Sequence, residues 1–112
     1  GFTDQKWNGV TTLQFANLCK NLILDNYFDT VYAESSIHHF CPNEGISKYE
    51  LLKLFKLFFR SDLTVIPQEN INNAVSRNLG TNYQCISDKF GKNNSMQNSI
   101  KELALLIEKT RI

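Results

Sequence analysis

Surplus charge of either sign is missing from this chain: 12 lysines and arginines stand against 11 aspartates and glutamates, a formal net charge of +1. That balance excludes the broad basic footprint of a nucleic-acid or membrane-surface protein. Long apolar runs are absent too, and none reaches the ~18–20 residues that a bilayer span needs. Cysteine is limited to Cys19, Cys41 and Cys85, an odd number with no CxxC pair. Neither a disulfide framework nor a zinc-ribbon spacing is expected, and a reducing, cytoplasmic setting fits best. The five glycines (Gly1, Gly9, Gly45, Gly80, Gly91) make no G-x-G-x-x-G turn of the kind that seats a dinucleotide pyrophosphate. The chain opens GFTDQKWNG, without an initiator methionine or a basic-then-apolar signal region, and reads as a piece of something longer.

What is present suits one domain spanning residues 1–112, with 42% hydrophobic and 12% aromatic residues to build a core. Three segments carry helical periodicity. In GVTTLQFANLCKNLILDN, Phe15, Leu18, Cys19 and Leu22 share one face, with Gln14, Asn17 and Asn21 opposite, and Thr11 or Thr12 is placed to cap the start. In SKYELLKLFKLFFR, Ser47 and Glu50 form a capping box ahead of an apolar face of Leu51, Leu52, Phe55, Phe58 and Phe59. In SMQNSIKELALLIEKT, Ser95 caps a helix that buries Met96, Ile100, Leu103, Ala104 and Ile107. Two strands are expected, one in SSIHHFCPNEG and one in DLTVIP. The polar stretch from Gln68 to Asn94 reads as a long functional loop. The fold class is therefore small α+β, mostly helical, with a few short strands.

One spacing invites an enzymatic reading. Ser36, Tyr49 and Lys53 reproduce the Ser…Tyr-x-x-x-Lys order of a short-chain dehydrogenase/reductase active site. In such a site the lysine lowers the phenol pKa and holds the nicotinamide ribose. That chemistry needs a dinucleotide-binding unit ahead of the tyrosine, and the 48 residues before Tyr49 leave no room for one. At about 100° per residue, Tyr49, Lys53, Lys56 and Arg60 fall together on a solvated helix face. The match is accidental.

Read end to end, the chain nevertheless resembles the C-terminal substrate-binding domain of dTDP-4-dehydrorhamnose reductases and related nucleotide-sugar enzymes, which are extended short-chain dehydrogenases. FTDQKWNGVTTLQFAN is similar to the family's Asp-Gln segment and following helix start. IHHFCPNEGISKYELLKLF resembles the strand ending in His and the helix after it; LTVIPQE resembles the next strand with its proline. SRNLGTNY is similar to the Arg-Ser-Leu-x-Thr segment, and the last helix to the terminal helix. The resemblance covers essentially the whole chain. It implies a parent that reduces or epimerises a 4-keto sugar with NAD(P), in deoxysugar (rhamnose-type) biosynthesis. The catalytic residues and cofactor would belong to an N-terminal Rossmann domain absent here, so the 112-residue piece binds no cofactor of its own and is inactive alone. Its expected partners are that missing domain and a nucleotide-diphosphate sugar; no nucleic acid or membrane is expected, and the apolar surface that such a cut exposes points to homodimerisation.

The same resemblance places Asp4 and Gln5 at the substrate edge of a cleft. Trp7, the only tryptophan, offers a flat ring for a base or sugar. Arg77 offers a planar guanidinium suited to a pyrophosphate, with Asn78 and Tyr83 as further sugar or phosphate contacts. His38, His39 and Cys41 invite a metal reading. On a strand, however, His39 and Cys41 would face one side and His38 the other, and two ligands do not make a zinc site, so no metal is assigned. Cys19 and Cys85 read as small apolar fillers. Gly9-Val10 and Asn78 differ from the family's usual Pro-Thr and Ser, which favours a second reading, a non-catalytic regulatory or scaffold module of the same descent.

Overall fold

The structure, a computed structural model, describes residues 1–69, 74–83, 85–90 and 94–111. Its elements run β1 (Gln5–Trp7), α1 (Thr12–Leu24), α2 (Phe28–Glu34), β2 (Ile46–Ser47), α3 (Lys48–Phe58), β3 (Val75–Arg77), α4 (Cys85–Phe90) and α5 (Met96–Thr110). The class is α+β, with about half of the described residues helical.

The three long helices begin where local chemistry dictates. Thr11 accepts from the Gln14 backbone N–H at 3.1 Å while the Gln14 side chain accepts from the Thr11 N–H at 2.9 Å, a reciprocal cap that satisfies two orphan donors. Ser47 and Glu50 repeat the arrangement at the head of α3. Ser95 accepts from the Asn98 N–H to start α5. The helix α1 is capped at Asp25, and the chain turns away at Asn26, the one described non-glycine residue with positive φ, at 52°, where an asparagine is tolerated.

Neither expected strand forms. After α2 the chain turns back on that helix, with the His38 ring bonded to the Val31 and Ser35 carbonyls, so residues 37–42 close α2 instead of entering a sheet. Residues 63–66 are irregular, and just after them Gln68 pairs with Phe2 in an isolated bridge. The sheet is built from other pieces, in the order β2-β1-β3. β1 pairs antiparallel with β2 (Trp7 opposite Ile46) and parallel with β3 (Trp7 opposite Arg77). Part of the expected long loop is thus strand β3 and helix α4; its residues 70–73, 84 and 91–93 lie outside the described residues.

Among the described residues, the buried apolar side chains are Leu18, Ile86, Met96 and Ile100. Asn43, also buried, joins α1 to α5. Its amide nitrogen donates to the Gly9 carbonyl at 2.7 Å and to Gln14 Oε1 at 2.8 Å. Its oxygen accepts from Gln14 Nε2 at 2.7 Å and from the Ser99 hydroxyl at 3.0 Å. Gln14, expected on the outer face of α1, therefore points inward, while Phe15, expected inside, is 56% exposed. The apolar stripes of α3 and α5 also run out of cover, with Leu52, Phe59 and Ile107 exposed.

The molecule is a plate of 47 × 44 × 17 Å with a radius of gyration of 16.3 Å. A compact domain of this length would have a radius of about 13 Å. The excess comes from thinness: helices lie beside the small sheet without a second layer over their outer faces. No described helix is long and apolar enough to cross a membrane.

Candidate functional site

The parallel pair β1–β3 ends at Trp7 and Arg77, which stand in register, and both strands run toward the same edge. Pairing starts at the Asp4 carbonyl, which accepts from the Val75 N–H at 3.1 Å. Past the strands, the Asn8 side chain takes over the pairing: Nδ2 donates to the Leu79 carbonyl and Oδ1 accepts from the Leu79 N–H, both at 2.8 Å. Asn8 is buried, so this double bond fixes the backbone that carries Asn78 and Leu79. Nothing in the sequence marks Asn8 for this task beyond its amide, which can mimic a strand partner.

Two close approaches shape the edge. The Trp7 indole folds over Gly9, where any side chain would collide with the ring. The Asn78 amide lies against Gly45, where a side chain would likewise collide. Arg77 is exposed and has no ion-pair partner among the described residues. The structure thus brings Asp4, Gln5, Trp7, Arg77 and Asn78 to one strand pair and its end. Tyr83 is placed elsewhere, with its ring against His38 at a centroid distance of 5.4 Å.

A groove of about 930 Å³, lined in part by β2 and α3, contains none of these six residues. It is lined by Glu44, Ile46, Tyr49, Lys53, Lys56 and Met96 among others, so the basic face of α3 forms one wall. Lys53 Nζ lies 5.0 Å from the Tyr49 ring centroid, a cation–π contact. Ser36 does not line this groove, and the Ser–Tyr–Lys spacing assembles no reductase site here.

A second cluster joins α2 to α4. The two helices run antiparallel: Tyr27 meets Phe90 edge-on at 5.9 Å at one end, and Glu34 meets Cys85 at the other. The Cys85 backbone N–H donates to Glu34 Oε2 at 3.0 Å. Glu34, His38 and Cys85 each offer a ligand atom, and the three atoms lie within 4.8 Å of one another. Burial, and then the hydrogen bond and negative charge of Glu34, push the Cys85 thiol up from its ordinary range. Cys85 thus stands beside the Glu34 carboxylate at the start of α4. His39 is exposed, and Cys41 stands apart from this group with its thiol pushed up by burial alone. The sequence held one signal for the cluster, the four-residue spacing of Glu34 and His38 across a helix end.

No protein-family model matches the chain, and neither does any curated protein or solved structure.

Proposed function

We propose that this domain binds a nucleotide-diphosphate sugar at the shared end of β1 and β3. In this reading it is the substrate half of an NAD(P)-dependent 4-keto-sugar reductase or epimerase of the dTDP-4-dehydrorhamnose reductase kind, acting in the cytoplasm. The observation that carries the reading is the parallel register of Trp7 and Arg77. In open sheets, ligands bind outside the carboxyl ends of parallel strands. There the exposed Arg77 guanidinium supplies bidentate donors for a pyrophosphate, and the Trp7 ring supplies a face for a base or sugar. Asn78, fixed through Asn8 and Leu79, adds an amide for a hydroxyl or phosphate oxygen. Hydride transfer and its cofactor belong to the partner domain, so this chain orients substrate and has no turnover alone.

Titration with dTDP-, UDP- and GDP-sugars, followed by NMR amide shifts, tests the reading. Saturable shifts on residues 4–8 and 77–79 are expected, and shifts confined to the α3 groove would contradict it.

A second reading, a regulatory or scaffold module that only packs on other chains, is favoured by the plate's apolar surface. Ile23, Leu24, Leu57 and Ile66 are each more than 60% exposed. Exposed apolar surface of this kind is what packing on another chain would cover. Both readings predict self-association of the isolated chain, and a single monomeric species across a concentration series in analytical ultracentrifugation would count against both. The module reading alone predicts no response to any nucleotide sugar.

A further inference from the structure

We infer that Glu34, His38 and Cys85 form a binding site for one divalent transition-metal ion of the zinc class, independent of the strand-end site. The His38 ring has one nitrogen engaged and one left over. Its Nε2 lies 2.8 Å from the Val31 carbonyl and 2.9 Å from the Ser35 carbonyl. Carbonyl oxygens only accept, so Nε2 carries the proton. In the neutral ring, Nδ1 then holds a lone pair. That atom is buried and has no hydrogen-bond partner among the described residues. A buried acceptor without a partner costs about 1–3 kcal/mol. Metal-binding histidines have this arrangement, in which one nitrogen donates to a backbone carbonyl and so fixes the tautomer and ring orientation for the other.

The two remaining ligands are of the right kind and close by. A thiol, an imidazole and a carboxylate make a mixed donor set that suits zinc, cobalt or a similar borderline ion. Zinc bonds of 2.0–2.3 Å place tetrahedral ligands roughly 3.3–3.6 Å apart. One ligand atom from each residue, a ring nitrogen in the case of His38, lies within 4.8 Å of the other two, and small side-chain rotations, in which Glu34 gives up its bond from the Cys85 N–H for the ion, close that to bonding separation. The frame is fixed around them, since α2 and α4 are held at their opposite end by the Tyr27–Phe90 contact and by Lys89 over the Tyr27 ring at 4.6 Å. Three protein ligands leave a fourth position for water or an exogenous group, the pattern of a zinc ion that works rather than one that only braces. Binding forms the metal–sulfur bond as the Cys85 proton leaves to solvent, with no change of oxidation state.

The cluster does not suit a cysteine nucleophile. His38 Nε2 is occupied by carbonyls, and burial, then the Glu34 carboxylate, raise the thiol where activation would require lowering it.

Titration of the metal-free protein with Co²⁺ is the test. Saturation at one equivalent is expected, with a thiolate-to-cobalt charge-transfer band in the near ultraviolet and tetrahedral visible bands, both displaced by Zn²⁺. Cys85→Ser should abolish the charge-transfer band, and His38→Asn should weaken binding by at least ~100-fold, the upper end of what losing an outer partner costs. Cys19→Ser, Cys41→Ser and His39→Asn should leave the spectrum unchanged. Absence of a saturable band, or its survival in Cys85→Ser, would overturn the proposal. A readout on the unmutated protein covers variants that fail to fold. Zn²⁺ should slow alkylation of Cys85, read by mass spectrometry, and leave Cys19 and Cys41 unaffected; equal Cys85 rates with and without Zn²⁺ would overturn it as well.

Discussion

Asn43 and Arg77 stand in two polar regions that use their hydrogen-bonding groups in opposite ways. Around Asn43 the amide nitrogen has two acceptors and the oxygen two close donors, all inside the protein. At the end of β1 and β3, Arg77 points its guanidinium outward with no ion-pair partner among the described residues, although the backbone beneath it is pinned by Asn8. The first region holds helices together and has nothing left for a ligand. The second is rigid below and open above, which is how a binding surface is preorganised. The Glu34–His38–Cys85 cluster lies between these extremes: half-buried at His38 and Cys85 and exposed at Glu34, with one ring nitrogen left over.

The comparison yields an ordered set of expected effects. Asn43→Ala should cost the most, about 4 kcal/mol in urea unfolding, because it leaves the Gly9 carbonyl and the Gln14 and Ser99 side chains without their shared partner. A loss under about 1 kcal/mol would mean that the network is dispensable. Met96→Ala, which empties a fully buried site beside that amide, should cost about 3 kcal/mol. Ser47→Ala removes one half of the α3 capping box and should cost about 1 kcal/mol, with helix content measured by circular dichroism falling accordingly. Arg77→Ala should change stability by no more than about 0.5 kcal/mol, since the side chain is exposed. If Arg77→Ala proved as destabilising as Asn43→Ala, the contrast between the two regions would fail.

Which parts were legible in the sequence follows from how local the determining physics is. The starts of α1, α3 and α5 were readable because caps are local: a capping box at Ser47–Glu50 and single caps at Thr11 or Thr12 and at Ser95, although the return bond from Gln14 to Thr11 was not foreseen. The short helices α2 and α4 were not: Tyr27 offers no side-chain cap to α2, and α4 is six residues long. Strands of two or three residues carry no alternation to read, so the sheet's partners depend on contacts some 40 and 70 residues apart in the chain. Asn43 sat in a Pro-Asn-Glu-Gly turn and gave no sign of burial. The inward turn of Gln14 and the outward turn of Phe15 follow from it, because α1 rotates to meet that amide. At the strand end, the sequence offered Asp4, Gln5, Trp7, Arg77 and Asn78 as candidates but not Asn8, and only folding set Trp7 opposite Arg77 and sent Tyr83 to His38.

The central claim, that Trp7 and Arg77 act on one ligand, is tested most directly by Trp7 fluorescence during titration with dTDP-, UDP- and GDP-sugars, comparing the unmutated chain with Arg77→Ala. Saturable quenching by at least one nucleotide sugar is predicted, with affinity falling about 10–100-fold in Arg77→Ala as a charged hydrogen-bond pair is lost. Quenching that is indifferent to Arg77, or none with any of the three, would contradict it.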